Sequence, residues 1–549
     1  MSYNRQRFEI TQPSGLVKDL SPYEMAPNLW SNGCNVNFRR GRTNAYVASS
    51  NPYPALTLAG KPTFLQWYNE NGTNFWLYCA KTVDSSIVAI TSGATSNTLG
   101  SGFLNTRNAD WAGSDFNSVI VLNNRNNIPQ VVRTIGTAPF KEIVDMPNWG
   151  TVTSGGVTTN NVAPWGVASR CEVIRTYKNY MMIMDCYDQT GQRYPNMVRW
   201  SGPAQLGGTP NSFDPSVVGQ QAGLYALADT PGRVVDGLTL GDYFVVYKSD
   251  AVWLMQFIGG QFTMSFRKLF GGDSGILSKN CVAEFQGKHF VLSPSSCYVH
   301  NGSSKEDVMD GWVKDEFFNT VSPAHVADTK VVADNNNNEM LIYYISRTAA
   351  SDAEIAEVEP YADKALVWNW VEAKWTCRDL NGIAHIAEGY IVPNTAGVDD
   401  WESDDQAWNL DPTTWNGQTN FSTLLEGLLM ASYEGSKFEA LEYPEGSDPY
   451  APLAFVERIG LDFEQDRQFK MLERVVPHIK GVLPVTISIY VSDIQTSFPS
   501  VAQVVVFDPL TDVDVDVHCS GRYVGLRFEC AGAFQLDGYT LEGQFVGSF

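Results

Sequence analysis

Short apolar runs, each closed by a polar turn and answered by a second run, recur through the middle of this chain. The pattern appears at 74–80 (NFWLYCA) with 86–91 (SIVAIT), at 118–122 with 129–132, and at 180–185 with 197–200. It returns at 243–247 with 252–257, 289–293 with 297–300, 340–345 with 365–370, and 428–432 with 438–441. Apart from a longer last gap, the intervals are roughly 45 to 60 residues, close to the length of a four-stranded propeller blade. The pattern predicts an all-β, β-propeller-like body over 46–451, with an array of β-sandwiches as the competing architecture. Seven recurrences need not mean seven blades, because one blade could supply two hairpins. Only 351–358 (SDAEIAEV) and 219–228 have helical composition. Residues 150–164, rich in Gly, Thr and Asn and free of charge, read as a loop, and 391–420 as a long excursion between blades.

From about Pro452 the strands become longer and cleaner, as in 455–464 (FVERIGLDFE), 485–491, 501–507 and 523–530. Residues 452–549 are therefore expected to form an additional C-terminal antiparallel β-domain, packed as a sandwich or a curved sheet. The 549 residues exceed one compact core, and the 44% hydrophobic content excludes disorder as the main state. No apolar run is long enough for a membrane span, and MSYNRQRFEI has no secretory signal, so synthesis and folding in a cytosol are expected. Nine cysteines without a CxxC pair argue against structural zinc. Cys79, Cys186, Cys281, Cys297 and Cys530 lie in or beside apolar runs and read as small buried hydrophobes, with disulfides not expected in a reducing compartment.

The formal charge of −22 is the opposite of what a nucleic-acid reader carries. Much of the excess falls in 351–460, which holds 21 Asp and Glu against 5 Lys and Arg. Within it, 399–415 (DDWESDDQAWNLDPTTW) sets Trp401, Trp408 and Trp415 seven residues apart, among Asp399, Asp400, Glu402, Asp404, Asp405 and Asp411. Such a stretch suits a sugar-stacking platform, a calcium loop, the rim of a channel, or a loop pinned to the body by its tryptophans. Calcium is disfavoured because the EF-hand order is missing.

Paired carboxylates for glycoside cleavage are sought among Asp236, Asp242, Glu284, Asp310, Asp315 and Glu316, but spacing singles out no pair. There is no G-x-S-x-G elbow and no H-E-x-x-H. The glycines at 259, 260, 271, 272 and 275 lack a phosphate-loop pattern and read as hairpin chemistry. His289 and His300 lie in strands and read as packed or hydrogen-bonded. Arg39, Arg40 and Arg42, with Arg267 and Lys268 elsewhere, form small basic patches able to meet a few phosphates or acidic groups.

The opening segment 15–42, GLVKDLSPYEMAPNLWSNGCNVNFRRGR, mixes turn residues with the apolar anchors Leu16, Leu20, Met25, Leu29 and Trp30. It closes in an alternating Asn35–Phe38 run and a Gly41 turn, so 1–45 reads as an anchoring segment. This opening, the stretch 232–302 and the closing GRYVGLRFEC…FQLDGYTLEG resemble the tail nozzle proteins of short-tailed bacteriophages, also called packaged-DNA stabilisation proteins. The resemblance implies a non-enzymatic virion protein without a cofactor, made in the host cytoplasm and placed in the phage tail. It implies a ring, usually a homo-hexamer, below the portal and head–tail adaptor and beside tail fibre, tailspike or needle proteins. Such a ring extends the channel, retains the packaged genome and conducts double-stranded DNA during ejection without sequence-specific binding. Carboxylates facing the bore, including the 399–411 set, would repel the duplex. The alternative is a receptor- or glycan-binding tail protein, possibly glycan-cleaving, that presents the Trp401–Trp415 loop.

Overall fold

The computed structural model describes residues 6–391 and 425–548, less 71–72, 83, 92–94, 105–110, 117–118, 135–140, 155–156, 161–164, 206, 218, 357, 444–446, 464, 466 and 497–498. Among the described residues the chain is all-β, with antiparallel strand pairing throughout its sheets and two short α-helices, Lys314–Thr320 and Arg347–Ile355. No described helix is long and apolar enough to cross a membrane.

Five four-stranded meanders follow one another in sequence. Blade 1 is Lys61–Glu70, Thr73–Lys81, Ser85–Thr91 and Thr95–Phe103; blade 2 runs from Ala112–Phe116 to Lys141–Asp145. Blade 3 runs from Arg170–Tyr177 to Gly223–Ala226, blade 4 from Val234–Leu240 to Met264–Phe270, and blade 5 from Val282–Phe285 to Lys305–Asp307. Blades 6 and 7 share the strand Lys374–Ile391. Its first half pairs with Ala362–Asn369 at the outside of blade 6, and its second half pairs with Leu425–Ser432 at the inside of blade 7. Gly382, at φ 59, lies where the strand passes from one blade to the next.

The first strand of each blade packs beside that of the next, and the inner half of blade 7 packs against Lys61–Glu70, so the seven blades close a ring. Each sequence hairpin is the central pair of one blade. The outer part of blade 7 comes from the other end of the propeller: Ser49–Asn51 pairs with both Lys437–Ala440 and Ser447–Tyr450. That strand ties the start of the ring to its finish, so opening the propeller breaks sheet hydrogen bonds as well as apolar contacts.

A two-sheet sandwich stands beside the ring. One sheet orders Val36–Arg39, Arg42–Ala45, Phe534–Ser548, Gln468–Gly481 and Val515–Gly521, with Gln6–Thr11 also on Phe534–Ser548. The other orders Asn32–Cys34, Ala454–Leu461, Tyr523–Cys530, Val485–Ser492 and Ser500–Phe507. Four strands from the first 45 residues thus belong to the sandwich. Its interior, with Trp30, Val456, Ile487, Phe528 and Tyr539 buried, is continuous with the apolar core of blades 4 to 6. Burial on that scale fixes the sandwich against the propeller.

Two local expectations are corrected. Residues 219–228 form no helix; Gly223–Ala226 is the outer strand of blade 3, because the free edge of Met197–Trp200 offers a ladder that outweighs a weak helical preference. Residues 150–164 contain a hairpin, Thr151–Ser154 with Val157–Asn160.

Candidate functional site

Three turns and one strand converge on a polar cleft of about 470 Å³ where propeller and sandwich meet. The first wall is the two-residue turn between Val36–Arg39 and Arg42–Ala45. Arg40 and Gly41 both take positive φ there, 56 and 68, as a primed hairpin turn requires. The second wall is the run Asn335–Asn338 between the first two strands of blade 6, with Asn338 left-handed at φ 57. The third is the turn after Asn369, whose side-chain oxygen accepts from the N–H groups of Val371 and Glu372 at 3.1 and 3.0 Å. Gln535, opposite Asn44 in the sandwich, completes the lining.

An ion network underlies the cleft and holds Arg39. Its guanidinium donates to Glu339 at 2.9 Å and to Glu442 at 3.1 Å, and the Tyr46 hydroxyl donates to Glu339 at 3.2 Å. Arg378 lies 4.2 Å above the Tyr46 ring and donates to Ser49 at 3.1 Å. Burial, opposed by Arg39, pushes Glu339 up to about 7. Of the three arginines in the opening segment, Arg39 is therefore committed to the body and Arg42 pairs with Asp537 at 3.3 Å. Arg40 is exposed, and its backbone N–H donates to Glu372 at 2.8 Å. Carboxamides and guanidinium groups at the rim suit a polar or anionic group. Among the described residues of the lining Glu372 is the carboxylate; it is held by that N–H and has no second acid there to work with.

The candidate carboxylates do not converge. Asp236 is fully buried and holds Arg175 through two bonds of 2.9 Å. Asp242 meets Lys178 at 3.4 Å on the surface, Asp310 meets Lys314 at 2.9 Å, and Glu316 meets Lys18 at 2.7 Å. Asp315 gives its N–H to Asp19, and Glu284, exposed, is pushed up by desolvation. Asp315 and Glu316 share the helix Lys314–Thr320, but Glu316 is paired with Lys18, and the other four acids lie on separate strands or turns with contacts of their own, so the contacts join no two of the six as an acid–base couple. Asp399, Asp400, Glu402, Asp404, Asp405 and Asp411, with Trp401, Trp408 and Trp415, lie outside the described residues.

His289 and His300 meet at Tyr247, a partner that the sequence reading did not single out. The Thr239 carbonyl can only accept, so His289 Nε2 carries the proton and donates to it at 2.8 Å. His289 Nδ1 is then an acceptor for the Tyr247 hydroxyl at 2.7 Å. At the far end the Gly302 N–H donates to His300 Nδ1 at 3.2 Å, leaving His300 Nε2–H to donate to the tyrosine oxygen at 2.7 Å. Both ends require the same proton arrangement, and every member is satisfied with neutral rings. Burial lowers His289 to about 4; burial, with His289 beside it, lowers His300 to about 3.

The unfolded chain takes up these protons near 6.5 and the folded chain only near 4 and 3, so the stabilisation is complete above 6.5 and falls as the pH drops toward 4. His289 alone should cost about 2–3 kcal/mol between pH 7 and 4.5. Denaturant titrations at the two pH values should show a shallower fall in a His289→Gln/His300→Gln variant, and an equal fall would contradict the assignment.

No family model matches the chain, and no curated protein matches it. Among solved structures, AztD from Citrobacter koseri is similar at 13% identity over 61% of this chain and 94% of that one, with a TM-score of 0.30. A fungal alcohol oxidase of the AA5 family in complex with copper shares 8% identity over 88% and 91%, and Saccharomyces cerevisiae Sqt1 shares 8% over 71% and 98%, each with a TM-score of 0.36. Likenesses this remote say nothing of what the chain binds or catalyses.

Proposed function

We propose that this chain is a structural subunit of a phage tail nozzle, forming a ring that continues the DNA channel, retains the genome and conducts it on ejection. The observation that carries the reading is the way the subunit is tied together. Its first 51 residues supply four strands to the sandwich and one to the last blade, and one apolar core joins the two units. A conduit wall must keep its shape under load, and strand exchange between the chain's two ends resists shear as a flexible linker does not. The charge of −22 agrees with this role, since duplex DNA passing a basic wall would release counterions and stick.

Ring formation needs a surface on which strongly acidic copies can meet. Ser500–Phe507 offers one: it is an edge strand of eight residues, SVAQVVVF, without a charge or a proline. Val501, Val504 and Val506 are more than half exposed on it. Edge strands of monomeric proteins are normally blunted by Lys or Pro to prevent such pairing. Mass photometry should find the purified protein in a closed oligomer, and Val504→Lys/Val506→Lys should reduce it to single chains with little change in Tm. A wild-type protein that stays monomeric at high concentration would count against the reading, and glycan binding by that monomer would favour the receptor-binding alternative.

A further inference from the structure

The opening segment and blade 6 touch through a pair of sulfurs. Cys34, at the end of the strand Asn32–Cys34, and Cys377, in the outer half of Lys374–Ile391, have their Sγ atoms 3.0 Å apart across 343 residues of sequence. This is closer than non-bonded sulfurs normally sit. Hydrogen bonds on both sides fix the approach. The N–H of Asn35 donates to the carbonyl of Cys377 at 2.8 Å, and the Thr376 hydroxyl donates to the carbonyl of Val36. The side chain of Asn35 also bridges to Asp379, accepting its N–H at 2.8 Å and donating to its carboxylate at 2.7 Å. Two cysteines held this way need only a small sulfur displacement to reach bonding distance.

We propose that Cys34 and Cys377 are a disulfide-forming site, closed by a low-molecular-weight disulfide such as oxidised glutathione, which fastens the opening segment covalently to blade 6. Cys377 is the attacking sulfur. It is partly exposed whereas Cys34 is buried, and it is lowered by the hydrogen bond from Cys34 and by the nearby Lys364 and Lys18. The Cys377 thiolate attacks one sulfur of the oxidant, forming a mixed disulfide and releasing one glutathione thiolate. Cys34 then loses its proton, with the Asp379 carboxylate 3.7 Å away to receive it, and attacks Sγ of Cys377. The second glutathione thiolate leaves. Two protein thiols become one disulfide, and the two electrons end on the oxidant as two glutathione thiols. Cys171 and Cys186 also face each other, across the first hairpin of blade 3, but both are fully buried, so an oxidant has no approach to them.

The inference is independent of the function proposed above. The full chain is incubated with oxidised glutathione, alkylated and digested. A Cys34–Cys377 linked peptide is expected, reversed by dithiothreitol, with Cys171 and Cys186 alkylated only after denaturation. Because the bond closes a very long loop, Tm should rise by about 5 °C or more on oxidation of the wild type, and by nothing in Cys34→Ser or Cys377→Ser. The peptide readout does not depend on the variants folding well. A stable glutathione adduct on Cys377, or full alkylation of both residues after oxidation, would overturn the proposal.

Discussion

Asp236→Ala is expected to destabilise the protein by about 3–5 kcal/mol, because it leaves a mostly buried guanidinium without its partner. Asp236 lies in the first strand of blade 4 and accepts four hydrogen bonds. Two come from Arg175 in the first strand of blade 3, and two from the backbone N–H groups of Gly237 and Asn280, each at 2.8 Å. Asn280, held left-handed at φ 64 just before blade 5, also accepts from Arg175 at 2.7 Å through its side chain, and its carbonyl accepts from Val331 of blade 6 at 2.8 Å. One carboxylate therefore ties the inner strands of blades 3 and 4 to the segment leading into blade 5, and Asn280 carries the connection on to blade 6. Asp236→Asn should cost less, since the amide keeps the shape but cannot accept all four bonds. Thermal unfolding of the two variants checks the order. If Asp236→Ala unfolds within 1 °C of the wild type, the hub does not exist as described.

Trp30→Ala should cost a similar amount, about 3–5 kcal/mol, from lost burial and the cavity left behind. The indole is 1% exposed, donates to the Thr43 hydroxyl at 3.1 Å, and meets the rings of Phe528 and Tyr539 at 6.2 and 6.1 Å. Its backbone N–H donates to the carbonyl of Gly15 and its carbonyl accepts from Val17, each at 3.0 Å, so the residue also folds the segment back on itself. The expected signature is local as well as global. Limited proteolysis should cut the variant within 12–31 while the propeller strands stay protected. A variant cut no faster than the wild type there would show that the segment is held elsewhere.

The propeller was legible because most blades contribute a central hairpin whose two strands are close in sequence and largely apolar, as at Tyr243–Lys248 and Val252–Phe257. What escaped was non-local. Nothing near Ser49–Asn51 announces that its partners lie almost four hundred residues away. The continuous strand Lys374–Ile391 hides a change of blade at one glycine. The helical reading of 351–358 falls partly on a real helix, Arg347–Ile355, whose start is fixed by Ser346 accepting from the Ala349 N–H. The reading of 219–228 failed because an available sheet edge outweighed propensity. For the cleft, the four consecutive asparagines at 335–338 between two apolar runs were the available signal, a turn rich in amides. The convergence of that turn with Arg40 and Gln535 is tertiary. The same holds for Tyr247 between His289 and His300, and for Cys34 beside Cys377.

The most direct test is electron microscopy of the purified protein at a concentration that favours assembly. The account predicts rings of several copies, the propellers side by side, the Ser500–Phe507 edges at the contacts between copies, and an acidic bore wide enough for duplex DNA. Single, unassociated particles with the valine edge open to solvent would contradict it.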